Sequence, residues 1–260
     1  MSRHLTNITG AILAAMTAVS CSVKEDRASC PCWLTIDMTG CTQTPAPYVS
    51  GVSSERTLET RESPEARNET FEVDRDIVRT FVCAVPGMAE GRLDGSVYHI
   101  RDGHDAYSLW AFAGTADCRG ESATVEARLH KQYATVTLRV AGEEYGSPYP
   151  FTLCVNGEVC GMDMLTLSPV RGEFHVKLEE SDGAFMFNLP RQLPEDSLWL
   201  TAAHGENADT LPLGEWILEA GYDWTADDLK DIDMELDYSR ASVTISVEGW
   251  EEGNSITVEI

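Results

Sequence analysis

The sequence predicts an all-β protein of the antiparallel sandwich class, and three observations carry that expectation. Short runs of alternating apolar and polar residues recur along the chain, separated by Gly, Pro and Asp clusters. Between them there is no long helical periodicity of the kind a βαβ fold needs to join parallel strands. The chain has 260 residues, 43% of them hydrophobic, too many for one small sandwich and enough apolar side chains for two cores.

The first strand falls in CPCWLTIDMTG at 30–40, with Trp33, Thr35 and Asp37 on one face and Leu34, Ile36 and Met38 on the other. Residues 42–69 are rich in Thr, Ser, Pro, Glu and Arg and read as a long loop or a partly disordered excursion. Strands are expected at 70–73, 80–85, 96–100 and 107–113, and residues 125–130 read as a short helix or a connector. YATVTLRV at 133–140 alternates cleanly. GEEYGSPYP at 142–150 has linker composition, which places a domain boundary there, with domains over 30–146 and 147–260.

In the second half, residues 151–155 and 158–160 flank Asn156-Gly157 and read as a hairpin. Further strands are expected at 165–167, 173–178, 184–189 and 197–203. LPLGEWILEA at 211–220 is the one convincing helical segment: Leu213, Trp216, Ile217 and Ala220 share a face, and Gly221 supplies the stop. Thr225 to Asp228 resembles a capping box with Asp where Glu is usual. DIDMELDY at 231–238 turns Ile232, Met234, Leu236 and Tyr238 inward and Asp231, Asp233, Glu235 and Asp237 to water. Residues 242–247 and 256–260 supply the last strands.

The formal net charge of −24 repels phosphate backbones, which excludes nucleic acid as a partner. Eight cysteines occur without a C-x-x-C spacing, so no metal site is expected. Apart from Cys21, most of them read as buried small hydrophobes, with one or two disulfides among the seven. A two-residue turn at Asn156-Gly157 puts Cys154 and Cys160 on opposite faces of the hairpin, and a three-residue loop puts them directly across from each other; both registers stay open.

No catalytic constellation is present, and neither an enzymatic activity, a cofactor nor a small-molecule substrate is expected. The six histidines are scattered, and His104, between Gly103 and Asp105, reads as part of a polar turn. The acidic ladder at 231–237 is explained as the solvated face of a strand. Asp196-Ser197-Leu198 and Asp209-Thr210-Leu211 resemble the O-glycosylation sites of exported Bacteroidetes proteins.

Residues 1–20 combine Arg3 and His4 with a short apolar run, the pattern of an export signal. Ala18-Val19-Ser20-Cys21 resembles the lipobox of bacterial lipoproteins, which implies cleavage before Cys21 and acylation of its thiol. Residues 21–29 then form a charged tether, whose Lys24, Glu25 and Asp26 resemble the surface-export signal of Bacteroidetes lipoproteins.

Four stretches extend the likeness: CPCWLTIDMTGC, YSLWAFAGT, LHKQYATVTLRV and, above all, LPLGEWILEAGYDWTADDLKDIDMELDYSRASVTISVEGW. On these the chain resembles the FimB/Mfa2-type fimbrial anchor and accessory lipoproteins of Bacteroidetes. The resemblance implies two tandem transthyretin-like β-sandwich domains with few short helices, a lipid anchor at Cys21 in the outer membrane, and a fimbrial shaft subunit as partner, bound by β-strand complementation. SITVEI at the end of the chain reads either as a donated strand, with Ile256, Val258 and Ile260 on one face, or as an ordinary edge strand. The alternative is a surface lipoprotein that binds a glycan or host ligand, which exposed aromatics such as Trp110, Trp199 or Tyr149 along a groove would favour.

Overall fold

The computed structural model describes residues 30–41, 46–55, 57–85, 93–141, 151–205, 207–237, 242–247 and 256–259. These form β-sandwiches, each built where the apolar alternation of its strands demands a covering sheet.

In the first sandwich, β1 (Cys32–Asp37) lies between β4 (Asn68–Val73), which it pairs antiparallel, and β9 (Ser122–Glu126), which it pairs parallel. The facing sheet runs β10 (His130–Lys131), β8 (Trp110–Asp117), β5 (Ile77–Ala84), β2 (Tyr48–Ser53), β3 (Leu58–Ser63). Leu34, Ile36, Phe71, Val78 and Val82 fill the space between them. Trp33, opposite Glu72 and Ser122 on the outer face, remains about half exposed at 53%.

The second sandwich opposes two larger sheets. One runs β14 (Glu180–Ser181), β15 (Ala184–Pro190), β11 (Tyr133–Ala141), β18 (Ile232–Asp237), β19 (Ser242–Val247), β20 (Ile256–Glu259), and its β11–β18 pair is parallel. The other runs β17 (Asn207–Leu211), β16 (Leu198–His204), β12 (Thr152–Asp163), β7 (Val97–His99), β6 (Leu93–Asp94), with β13 (Ser168–Lys177) on the opposite side of β12. Their shared core includes Val136, Leu138, Val155, Leu200, Ile232 and Met234.

The helix α1 (Leu213–Glu219) covers this core with Leu213, Trp216 and Ile217. It stops as the sequence predicts. Gly221 adopts φ 76° and donates to the Leu218 carbonyl at 2.8 Å, while Tyr222 N–H donates to the Ile217 carbonyl at 3.2 Å. That pair of bonds is a Schellman end, and it needs a residue free of the Cβ penalty at the left-handed position.

A third apolar cluster joins the two sandwiches. Phe81, Cys83 and Val49 leave the back of β5 and β2 to meet Tyr98, Met162 and Met164 from β7, β12 and the turn after it. The β2–β5 ribbon is therefore buried on both faces. At the β7–β12 junction a Cβ on Gly161 would lie 2.2 Å from the Tyr98 carbonyl oxygen, so the close approach of these two backbones requires glycine.

The alternating segments at 30–40, 133–140 and 231–237 are strands with the expected faces inward. Other expectations are corrected. Residues 42–69, expected as loop, contain β2, β3 and the start of β4; β2 is buried through small residues such as Ser50 and Gly51, which carry no apolar signature. Residues 125–130, expected as a short helix or a connector, hold the end of β9, a connector over 127–129 and the first residue of β10, and no helix. Residues 165–167 are a turn, with Leu167 at φ 52°.

Asn156-Gly157 is not a hairpin turn but lies inside the long strand β12. Asn156 Nδ2 donates to Thr201 Oγ1 at 3.3 Å and its Oδ1 meets His175 Nδ1 at 2.7 Å, so the side chain bonds to both flanking strands. Gly157 is there for space, since a Cβ would press on Leu198 at 3.1 Å. Cys154 and Cys160 therefore share one strand about 20 Å apart, and neither expected register applies. None of the seven described cysteines, Cys30, Cys32, Cys41, Cys83, Cys118, Cys154 and Cys160, is bonded to another in this structure.

The expected division at 146/147 follows β11 in sequence, whereas strand pairing places β11 in the second sandwich, with β15 and β18 as neighbours. The linker composition at 142–150 lies outside the described residues, as do Cys21, Tyr149 and Ile260.

Candidate functional site at the sheet edges

An interface made by strand addition needs a row of unpaired backbone N–H and C=O groups and no inward charge. Several edges of this fold are blunted. On the outer side of β4, Arg61 Nη1 donates to the Thr70 carbonyl at 2.5 Å while its guanidinium sits 4.3 Å over the Phe71 ring. Part of β15 is capped by the turn that carries His104: Ala106 N–H donates to the Asn188 carbonyl at 3.0 Å, and Asn188 N–H donates to Asp105 Oδ2 at 2.9 Å. His104 N–H donates within that turn to the Arg101 carbonyl at 3.1 Å, which makes the segment the polar turn that the sequence predicts.

The edge strand β13 presents Arg171, Glu173, His175 and Lys177 to solvent, and β3 presents Glu59, Arg61 and Glu62. Charge along an exposed edge opposes further strand pairing. The edge strand β17 exposes Asp209 and Thr210, while Asp196 of the other glycosylation-like triplet is buried and held by Arg171 at 2.8 Å.

The final strand differs. β20, of sequence ITVE, pairs antiparallel with β19 through Ile256↔Ile245, Thr257↔Thr244 and Val258↔Val243. Its other side pairs with nothing among the described residues. β-Branched residues favour the extended backbone that an added strand would extend.

In the same sheet, β11, β15 and the segment before β18 are held together by a polar staple that sequence reasoning missed. Asp231, just before β18, accepts Lys131 Nζ at 2.5 Å and Thr135 N–H at 2.8 Å. Arg191, at the end of β15, donates to Gln132 Oε1 at 3.0 Å, to the Ala226 carbonyl at 2.7 Å and to the Trp224 carbonyl. Asp228 accepts the Lys131 N–H at 2.7 Å and faces His130 Nδ1 at 3.0 Å. Burial lowers the Arg191 pKa, against the opposing pull of Tyr222 and the carboxylates of Asp223, Asp227 and Asp228. Burial likewise raises the Tyr222 phenol, whose hydroxyl donates to the Lys230 carbonyl at 2.7 Å. The GYDWTADDLKD loop is thereby fixed to β10 and β11 on one side and to β15 on the other.

Of the aromatics relevant to a glycan, Trp110 is half-buried and lines a cleft of about 380 Å³ with Gly40, Cys41, Glu126, Arg128 and Leu129. Trp199 on β16 is partly exposed. No group of metal-ligating side chains occurs among the described residues, and no described helix is long and apolar enough to cross a membrane.

No family model and no curated protein matches the sequence. Solved structures do match. The fimbrial anchor protein Mfa2 from Porphyromonas gingivalis superposes with a TM-score of 0.56 at 13% identity, over 85% of this chain and 98% of that one. An adhesin candidate from Bacteroides ovatus gives a TM-score of 0.60 at 11% identity, over 88% and 95%. A candidate polysaccharide-binding protein from Bacteroides thetaiotaomicron gives 0.56 at 12% identity, over 88% and 98%. The all-β double sandwich described above is thus the fold of the Mfa2-type fimbrial anchor proteins, and this chain shares it.

Proposed function

We propose that this chain is a cell-surface protein of the fimbrial and adhesin class, and that it anchors or assembles fimbriae. The observation that carries the reading is β20: a segment that opens with three β-branched residues, Ile256, Thr257 and Val258, before Glu259, and whose outer side pairs with nothing among the described residues, on the fold of a fimbrial anchor. Main-chain bonds along β20 and its neighbour Ile260 would give affinity, and alternate side chains such as Ile256 and Val258 would give register. The shaft subunit is the partner, bound by β-strand complementation, and no catalytic step is involved.

The same reading holds the protein at the outer membrane, facing the exterior. Residues 1–20 are removed as a signal, Cys21 is acylated, and residues 21–29 space the folded part from the bilayer. A second reading, a glycan or host ligand, is favoured by one observation: Trp110 lines a cleft beside Glu126 and Arg128, and sugar faces stack on aromatic rings.

The test is crosslinking on intact cells, followed by mass spectrometry of the partners of the purified protein. A repeating fimbrial subunit crosslinked near residues 256–260, and lost on truncation after residue 255, supports strand complementation. Crosslinks to glycan or host material alone overturn it in favour of the second reading. Cys21→Ala is expected to release the protein from the outer membrane, and its retention there would refute the lipid anchor.

A further inference from the structure

We propose that Cys32 and Cys118 are a disulfide site that cross-braces the two sheets of the first sandwich. Cys32 opens β1 in one sheet; Cys118 directly follows β8 in the other. Both are fully buried, in the same apolar cluster. The backbone brings them together from both sides. Trp33 N–H donates to the Glu121 carbonyl at 3.0 Å, which lays the 118–122 loop against the start of β1, and Cys118 N–H donates to the Asp76 carbonyl at 2.8 Å, which fixes where that loop leaves β8.

Burial, and after it the neighbouring Cys32, pushes the Cys118 thiol up to about 12. A thiol so protonated reacts slowly in the folded state, so the bond forms while the chain is folding and the sulfurs are accessible. The other described cysteines are placed differently. Cys41 donates its Sγ–H to the Ala127 carbonyl at 3.4 Å, Cys83 is buried in the cluster between the sandwiches, and Cys154 and Cys160 are separated along β12.

The oxidant is a small-molecule or protein disulfide. One cysteine thiolate attacks a sulfur of oxidised glutathione, giving a mixed disulfide and one glutathione thiolate. The second cysteine thiolate then attacks the protein sulfur of that mixed disulfide, expelling the other glutathione. Two protein thiols and one glutathione disulfide become one protein disulfide and two glutathione thiols, the two protons passing from the protein thiols to the glutathione.

The proposal does not depend on the fimbrial reading and is tested without it. The full chain is reduced and unfolded in urea, refolded in a glutathione redox buffer, acid-quenched, alkylated and digested with trypsin. The expected product links the peptide 28–56, cleaved after Arg27 and Arg56, to the peptide 102–119, cleaved after Arg101 and Arg119, with fragmentation assigning the bond to Cys32 rather than Cys30 or Cys41. Cys118→Ser is expected to abolish that product, and a Cys30→Ser, Cys41→Ser double variant to keep it. Thermal unfolding of the linked form is expected roughly 5–10 °C above that of the reduced form. Recovery of Cys32 and Cys118 as alkylated thiols, or bonded to any other sulfur, in chain that has refolded to a cooperative transition would overturn the proposal.

Discussion

Lys131 and Asp231 meet at 2.5 Å across the junction where β10 passes into β11, and the same carboxylate oxygen also receives the Thr135 amide at 2.8 Å. Lys131 is largely buried, with its ammonium 4.8 Å from the centre of the Tyr133 ring. One carboxylate therefore sets where β18 begins against β11. Asp231→Ala is expected to cost about 1–2 kcal/mol, moderated because Asp231 itself keeps contact with water. Urea unfolding of the variant reads this directly, and an unchanged midpoint would show that the parallel register is set by the apolar pairs alone.

Arg191 is a stronger test of the staple. Arg191→Met keeps the apolar stem but leaves the Trp224 and Ala226 carbonyls without their donor, at an expected cost of about 2–3 kcal/mol. Hydrogen exchange should show amides of residues 223–230 opening faster, with those of β12 and β16 unaffected below global unfolding.

Glycine substitution separates the two sandwiches from their connection. Gly161→Ala drives a methyl into the Tyr98 carbonyl oxygen and is expected to lose about 3 kcal/mol as β7 moves off β12. Gly40→Ala meets open space and should change stability by less than about 0.5 kcal/mol. Paired thermal melts of the two variants check the contrast.

Acid should destabilise the fold through a defined set of carboxylates. Side-chain and backbone hydrogen bonds from Arg119 hold Asp117 down to about 2, and those from Thr39 and Thr225 lower Asp37 and Asp223. Each pKa is depressed on folding, so its contribution is present above the unfolded value near 4 and is lost as pH falls toward 2. These groups are exposed, so each effect is small. From pH 7 down to about 5 the opposite trend is expected, because protonation relieves the repulsion behind a net charge of −24. The melting temperature should pass through a maximum between these ranges, and Asp117→Asn should flatten its acid limb.

The elements that could be read from the sequence are those whose burial is written in side-chain size. DIDMELDY and YATVTLRV alternate because each faces a core on one side only, and LPLGEWILEA lays Leu213, Trp216 and Ile217 on one helical face. β2 escaped because its burial on both faces is achieved with Ser50 and Gly51, and β17 escaped because Asn207 to Thr210 bury nothing. Asn156-Gly157 misled because a glycine used for clearance against Leu198 looks, in sequence, like one used for a turn. In the candidate site, a final strand beginning near Ile256 was legible from its β-branched residues. The Arg191 and Gln132 staple was not, since most of its acceptors are main-chain carbonyls that no residue pattern reveals.

The parallel β11–β18 pair also governs the order of events during folding. Val136 must find Ile232, and Leu138 must find Met234, across nearly the whole second sandwich. A hairpin zips from its turn within microseconds, but a pairing this distant closes a long loop before any contact repays the entropy. The second sandwich therefore completes as one late step, after the strands at both ends of the sequence interval exist, and until then β11 has only β15 beside it and an open edge on its other side. The last third of the chain acts as the closing half of a strand synthesised long before it, so loss of β18 would cost the sandwich its centre rather than its margin.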